Sequence, residues 1–208
     1  MINLFNFRKK QTLSIQGFGK LPFYKDYISV LRAPEALRWQ EWLLECFSKK
    51  KWRVPLGQWP FIFHLSPRSN MVIGIIEPGT DGIREFPFTL FSVLCDYGFQ
   101  GQNDWKVMVD IWDELKNIRN DLAGFQDIDS FYAVLRSQSI SMHSENNKKI
   151  DHNAGNAMNF FESFSSWNQK WPAFLIISDI PKQEYLIHNS VEMTDAFLMD
   201  WEGLKYNA

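Results

Sequence analysis

Two aspartates and three cations sit on stretches of this chain punctuated by glycine and proline, and they are its best candidates for chemistry. The first stretch runs Gly17-Phe18-Gly19-Lys20-Leu21-Pro22-Phe23-Tyr24-Lys25-Asp26-Tyr27, and the second Pro78-Gly79-Thr80-Asp81-Gly82-Ile83-Arg84-Glu85-Phe86-Pro87-Phe88. Asp26 and Asp81 meeting across a cleft would form the paired carboxylates of a hydrolase or transferase. A plainer reading uses the same residues. Asp81-Gly82 is a hairpin-turn dipeptide, Asp26 is suited to capping backbone N–H groups, and Arg84 to pairing with either carboxylate. That reading leaves two rigid loops that together make a charged and aromatic rim, which suits the recognition of a protein.

Other catalytic patterns fail on specific residues. Gly17-Phe18-Gly19-Lys20 is not a phosphate loop, because Leu21 follows the lysine, and Pro22 occupies the third glycine position of a dinucleotide fingerprint. The four histidines, His64, His143, His152 and His188, match no zinc spacing, and His64 and His188 read as hydrogen-bonded strand residues. There is no GxSxG and no CxxC. Cys46 and Cys95 fall in apolar periodic segments, as buried free thiols of a reducing compartment do. We therefore expect no catalytic residue, no metal and no cofactor.

Composition bounds the partner class. The 208 residues suffice for one full-sized core. With 22 basic and 24 acidic residues the net charge is −2, without the basic excess a nucleic-acid binder needs. No apolar run approaches the ~18 residues of a membrane span. Met1 to Phe7 is apolar before the basic Arg8-Lys9-Lys10, the reverse of a secretory signal, so a cytoplasmic location is expected. Eighteen Phe, nine Trp and six Tyr exceed ordinary use, and rings beyond the needs of a core favour a protein interface.

The elements that must hold the two stretches follow from periodicity. Residues 1–11 read as a flexible leader and 12–208 as a single domain. Thr12 to Phe18 alternates as a half-buried strand, and a helix starts at Pro34, where proline is tolerated in the first turn, and runs to Phe47. Its apolar positions cover more than half the circumference, so either it is covered on two sides or Trp39 or Trp42 faces outward. Phe61 to Leu65, Met71 to Ile76 and Phe88 to Leu94 read as a three-stranded meander. Helices are expected from Asn103 or Asp104 to Leu122 and over Asp129 to Ser137. Residues 137–156 are polar and read as a mobile excursion. A weak helical pattern over 157–164, strands at Ala173 to Ser178 and Tyr185 to His188, and a helix at Thr194 to Trp201 close the chain. Continuous apolar runs such as Met71-Val72-Ile73-Gly74-Ile75-Ile76 require cover on both faces. The expected fold is α/β: a single mixed, largely antiparallel sheet between helices, a three-layer α/β/α sandwich.

Gly19-Lys20-Leu21-Pro22, Asp26 four residues later with an aromatic after it, and Trp42-Leu43 on the first helix resemble the opening of the TagF (ImpM) family of type VI secretion-associated proteins. Gly74, Pro78, Asp81, Arg84, Phe86 and Pro87 match that family's second motif in order. Ser166-Trp167, Trp171-Pro172 and Ile180-Pro181 resemble its late segments more faintly. Lys25 stands where the family has glycine, Tyr27 where it has phenylalanine, and Gly79 where it has serine. The resemblance implies a three-layer fold and a cytoplasmic, non-enzymatic, post-translational repressor of type VI secretion that binds a forkhead-associated-domain scaffold protein. On that reading Lys20, Tyr24, Lys25, Asp26, Trp42, Asp81 and Arg84 contact the partner, while Gly17, Gly19, Pro22, Gly74, Pro78, Phe86 and Pro87 shape the loops. The alternatives are the two-carboxylate enzyme and a structural accessory subunit of the secretion apparatus.

Overall fold

Strands that are buried at nearly every position, rather than every second one, have to be covered on both faces, and this chain has three of them in succession. A computed structural model describes residues 11–48, 56–65, 69–94, 102–142, 173–179 and 184–188. In chain order its strands are β1 (Gln11–Ser14), β2 (Gln16–Leu21), β3 (Tyr24–Val30), β4 (Trp59–His64), β5 (Met71–Glu77), β6 (Phe88–Leu94), β7 (Ser139–Met142), β8 (Ala173–Asp179) and β9 (Glu184–His188). The helices are α1 (Pro34–Ser48), α2 (Gln102–Leu122) and α3 (Ile128–Ser137). Seven strands form one sheet in the order β3-β2-β6-β5-β4-β8-β9, and every ladder described is antiparallel. The meander read from the sequence is its centre, β4-β5-β6.

Side-chain alternation sends two different sets to the two faces. Phe18, Phe61, Phe63, Val72, Ile76, Phe91 and Val93 pack under α1. Ile62, Ile73, Ile75, Leu90 and Leu94 pack under α2 and α3, against Met108, Ile111, Trp112, Leu115, Phe131 and Leu135. The molecule is thus a helix–sheet–helix sandwich, as the continuous apolar runs require. Gly74 lies opposite Phe61 on one side and Phe91 on the other. A Cβ there would come within 2.6 Å of both rings' side chains, so only glycine lets the two phenylalanines flank that point.

Helix α1 settles the question its apolar breadth raised. Trp39 stacks on Phe61 with ring centroids 4.5 Å apart, and Trp42 stacks on Trp39 at 5.4 Å. Both indoles are buried. The apolar residue that α1 turns outward is Leu37 instead. Trp42 is accordingly a core residue and not a partner contact, a correction to the expectation above. Helix α3 is capped by Asp127, whose carboxylate accepts from Ser130 N at 2.8 Å.

Four expectations change. Thr12 to Phe18 is not one strand: β1 ends at Ser14, Ile15 N donates to Gln138 O, and β2 begins at Gln16 in the larger sheet. The break lets β1 leave for a two-stranded sheet with β7. Residue 11 therefore belongs to a strand, and the stretch 137–156 begins not as an excursion but as the end of α3 followed by β7. The cause is two side chains: Ile140, buried opposite Leu13, and Met142, packed against the same core, anchor the strand between its serines. Finally, the first charged stretch is a hairpin, β2 and β3 joined at Pro22-Phe23. The expected elements at 157–164 and 194–201, the rest of the excursion from 143, residues 1–10, and Cys95, His143 and His152 lie outside the described residues.

Candidate functional site

The two charged stretches meet. Gly19 has φ +137°, a region that L side chains rarely adopt, and a Cβ on it would fall 2.1 Å from the carbonyl oxygen of Pro87. Gly79 is as confined: a Cβ would approach the carbonyl oxygens of Phe86 and Lys20 at 2.4 and 2.5 Å. Absent side chains at these two positions let the β2–β3 hairpin lie backbone to backbone against the β5–β6 connection.

Contact at that distance puts Lys20 inside. Its side chain is fully buried, and its ammonium bonds Asp81 Oδ2 at 2.9 Å and the Lys25 carbonyl at 2.6 Å, 4.4 Å from the Tyr27 ring centre. Those three neighbours match the three donors of a lysine ammonium, so the buried charge is satisfied. Beneath it is an aromatic floor. Tyr27 stacks on Phe18 at 5.4 Å and meets Phe86 edge-on at 5.0 Å, and Phe47 of α1 abuts Phe86 at 6.0 Å.

Asp81 organises the other loop. One carboxylate oxygen accepts from the backbone N–H groups of Ile83 (3.0 Å) and Arg84 (2.7 Å), and the other from Arg84 Nε (3.0 Å) as well as Lys20. The Arg84 backbone N–H, more than any other group, holds this carboxyl far below the usual range; the Lys20 ammonium comes next. A carboxylate so held has no proton to donate near neutrality. Burial raises the Tyr27 phenol, and the Asp81 charge adds to that while Arg84 opposes it. Arg84 Nη2 also reaches back to the Lys25 carbonyl at 2.6 Å. One carbonyl on the hairpin thus receives both cations, and the two loops are fastened as a unit.

The root of the second loop is fixed too. Glu77, the last residue of β5, is paired with Arg119 of α2 at 2.6 Å, and Gln58 donates to its other oxygen at 3.2 Å. Arg119 also lies over the Phe88 ring. Neither Glu77 nor Arg119 was singled out in the sequence. Separated by 42 positions, they carry no local pattern that could have found them.

The seven expected contact residues divide. Lys25, Asp26 and Arg84 are exposed on the joined loops. Lys20 and the carboxylate of Asp81 are interior, so they shape the surface and do not touch a partner. Tyr24 is half-buried against the α2–α3 core, and Trp42 is on the sheet-facing side of α1. Of the loop-shaping set, Gly19, Phe86 and Pro87 lie at the junction, Gly17 packs against Leu135, and Gly74 is in the sheet. Pro22 and Pro78 are exposed at the ends of strands. The residue missed was Ile83, 86% exposed at the loop tip. Its signal was an isoleucine alone between Gly82 and Arg84, with no alternating neighbours to place it in a strand.

His64 is structural: its Nε2 lies 2.7 Å from Ser69 O, and burial lowers its pKa. Cys46 is a buried free thiol. Among the described residues, no group of three or more His, Cys, Asp or Glu is placed to hold a metal ion. No helix described is long and apolar enough to cross a membrane.

No family model and no curated protein matches this chain. Among solved structures it is similar to PA0076 from Pseudomonas aeruginosa PAO1, at 16% identity over 78% of this chain and 81% of that one, with a TM-score of 0.45. That degree of likeness assigns neither a family nor a function.

Proposed function

We propose that this chain is a non-enzymatic, protein-binding regulator, a post-translational repressor of type VI secretion that acts in the cytoplasm on a forkhead-associated-domain scaffold protein. The observation that carries the reading is the Lys20–Asp81 ion pair. It joins the two stretches whose motifs resemble the TagF family, about sixty residues apart in sequence, into one fixed surface. Burying an ion pair is a poor route to stability, because desolvation offsets most of the attraction. Here it holds loop geometry, and the groups left outside include Lys25, Asp26, Ile83, Arg84 and Glu85. Asp81 has no catalytic role in this reading, since its carboxylate is occupied by internal partners.

Replacing Asp26 and Arg84 together by alanine removes two exposed groups from that surface. Secretion should rise in cells carrying the variant, at unchanged protein level and with the chain still folded. Secretion that stays repressed at equal expression would remove the assignment.

A further inference from the structure

The exposed tip of the second loop combines two features that rarely coincide without a reason. Ile83 is 86% exposed. A single exposed apolar residue is ordinary on its own. Beside it, however, the Arg84 side chain is 58% exposed yet not free to swing. Nε and Nη2 are fastened to Asp81 and to the Lys25 carbonyl, and the acid behind them is fastened to buried Lys20. A guanidinium has five N–H donors in a planar fork. Two nitrogens point inward here, so the Nη1 edge is directed outward in a set orientation. The tip backbone is fixed as well: Gly82 N donates to Thr80 Oγ1 at 2.9 Å, and Ile83 N to Asp81 Oδ1. Side chains already in their bound conformation lose little freedom on association, which is how preorganisation raises affinity.

We infer that Ile83 and Arg84 are the specificity-determining contacts of this surface, and that they fit a folded protein partner presenting an apolar pocket with a carboxylate at its rim. With Nε and Nη2 engaged, the two N–H donors of Nη1 are held in a fixed plane for an anionic acceptor, a direction that a freely rotating ammonium does not fix. The sign of the partner group follows from Arg84. Asp81, the acid bonded to it, is shared with buried Lys20, so that carboxylate does not by itself neutralise the exposed guanidinium. The inference rests on the protein-binding reading above.

The test is calorimetric titration of the full chain with the purified forkhead-associated-domain scaffold of the same organism. Ile83→Ser, at unchanged melting temperature, and Arg84→Lys, with the chain still folded, should each weaken binding at least tenfold, and Leu37→Ser, an apolar residue exposed elsewhere, should not. Arg84→Glu should lose binding and recover it when one acidic residue of the partner is changed to arginine. If the wild type binds and Ile83→Ser and Arg84→Lys bind equally well, the inference is overturned and the protein-binding reading stands. Should the wild type not bind the scaffold at all, the reading falls and the inference falls with it. Because Ile83 is almost wholly exposed, its variant tests the surface even where an Arg84 variant loosens the loop.

Discussion

Lys20 is the residue on which the site turns, and its burial has a measurable consequence. A hydrogen bond to a charged group is worth about 1.5–3 kcal/mol. Lys20→Met keeps the length and apolar stem and removes one of the two cations on Asp81, leaving Arg84 and two backbone N–H groups. About 2 kcal/mol of unfolding free energy should be lost at neutral pH, read from urea midpoints. The pH dependence has a definite sign. Asp81 has a folded pKa below its ordinary value of 3.8, so its stabilisation is complete above that value and lost as pH falls below it. The gap between wild type and Lys20→Met should therefore narrow on acidification below about pH 4. A gap that is constant with pH would mean the ammonium and the carboxylate are not coupled.

Glycines decide how closely the elements approach, and they act at two levels of severity. Gly74 is flanked by phenylalanine side chains and Gly19 by the Pro87 backbone, so neither position has room for a methyl group. Gly82 at the loop tip has φ +86° and nothing within 4 Å of a Cβ, so substitution there meets backbone strain alone. Gly74→Ala and Gly19→Ala should each cost at least about 2 kcal/mol by overpacking. Gly82→Ala should cost about 1 kcal/mol, as for a side chain in a left-handed conformation. Equal urea midpoints for Gly74→Ala and wild type would refute the packing described around β4, β5 and β6.

Across the whole molecule, stability should follow cover. Strands β5 and β6 are flanked by strands on both edges and by helices on both faces, whereas β1 and β7 form only a two-stranded sheet. Amides of Ile73, Gly74, Ile75, Leu90 and Phe91 should be the slowest to exchange with deuterated water, and those of β1 and β7 should exchange earlier. Equal protection in β1 and β5 would show that the small sheet opens only with the core.

The sequence by itself determined the two-faced cover of the sheet, the three-stranded meander and the three helices, because each is written in periodicity within one segment. Local pattern also marked both charged stretches, since glycine and proline punctuate the chain wherever they stand. Tertiary structure alone decided which residues of those stretches face a partner. Lys20 and Asp81 look like surface charges until a partner about sixty positions away encloses them, and Trp42 cannot be assigned inward until Phe63 and Trp39 are seen beside it. The same holds for Arg119 on Glu77 and for Ile140 opposite Leu13. Burial is a property of what packs against a side chain, and a single segment's pattern does not contain its neighbours.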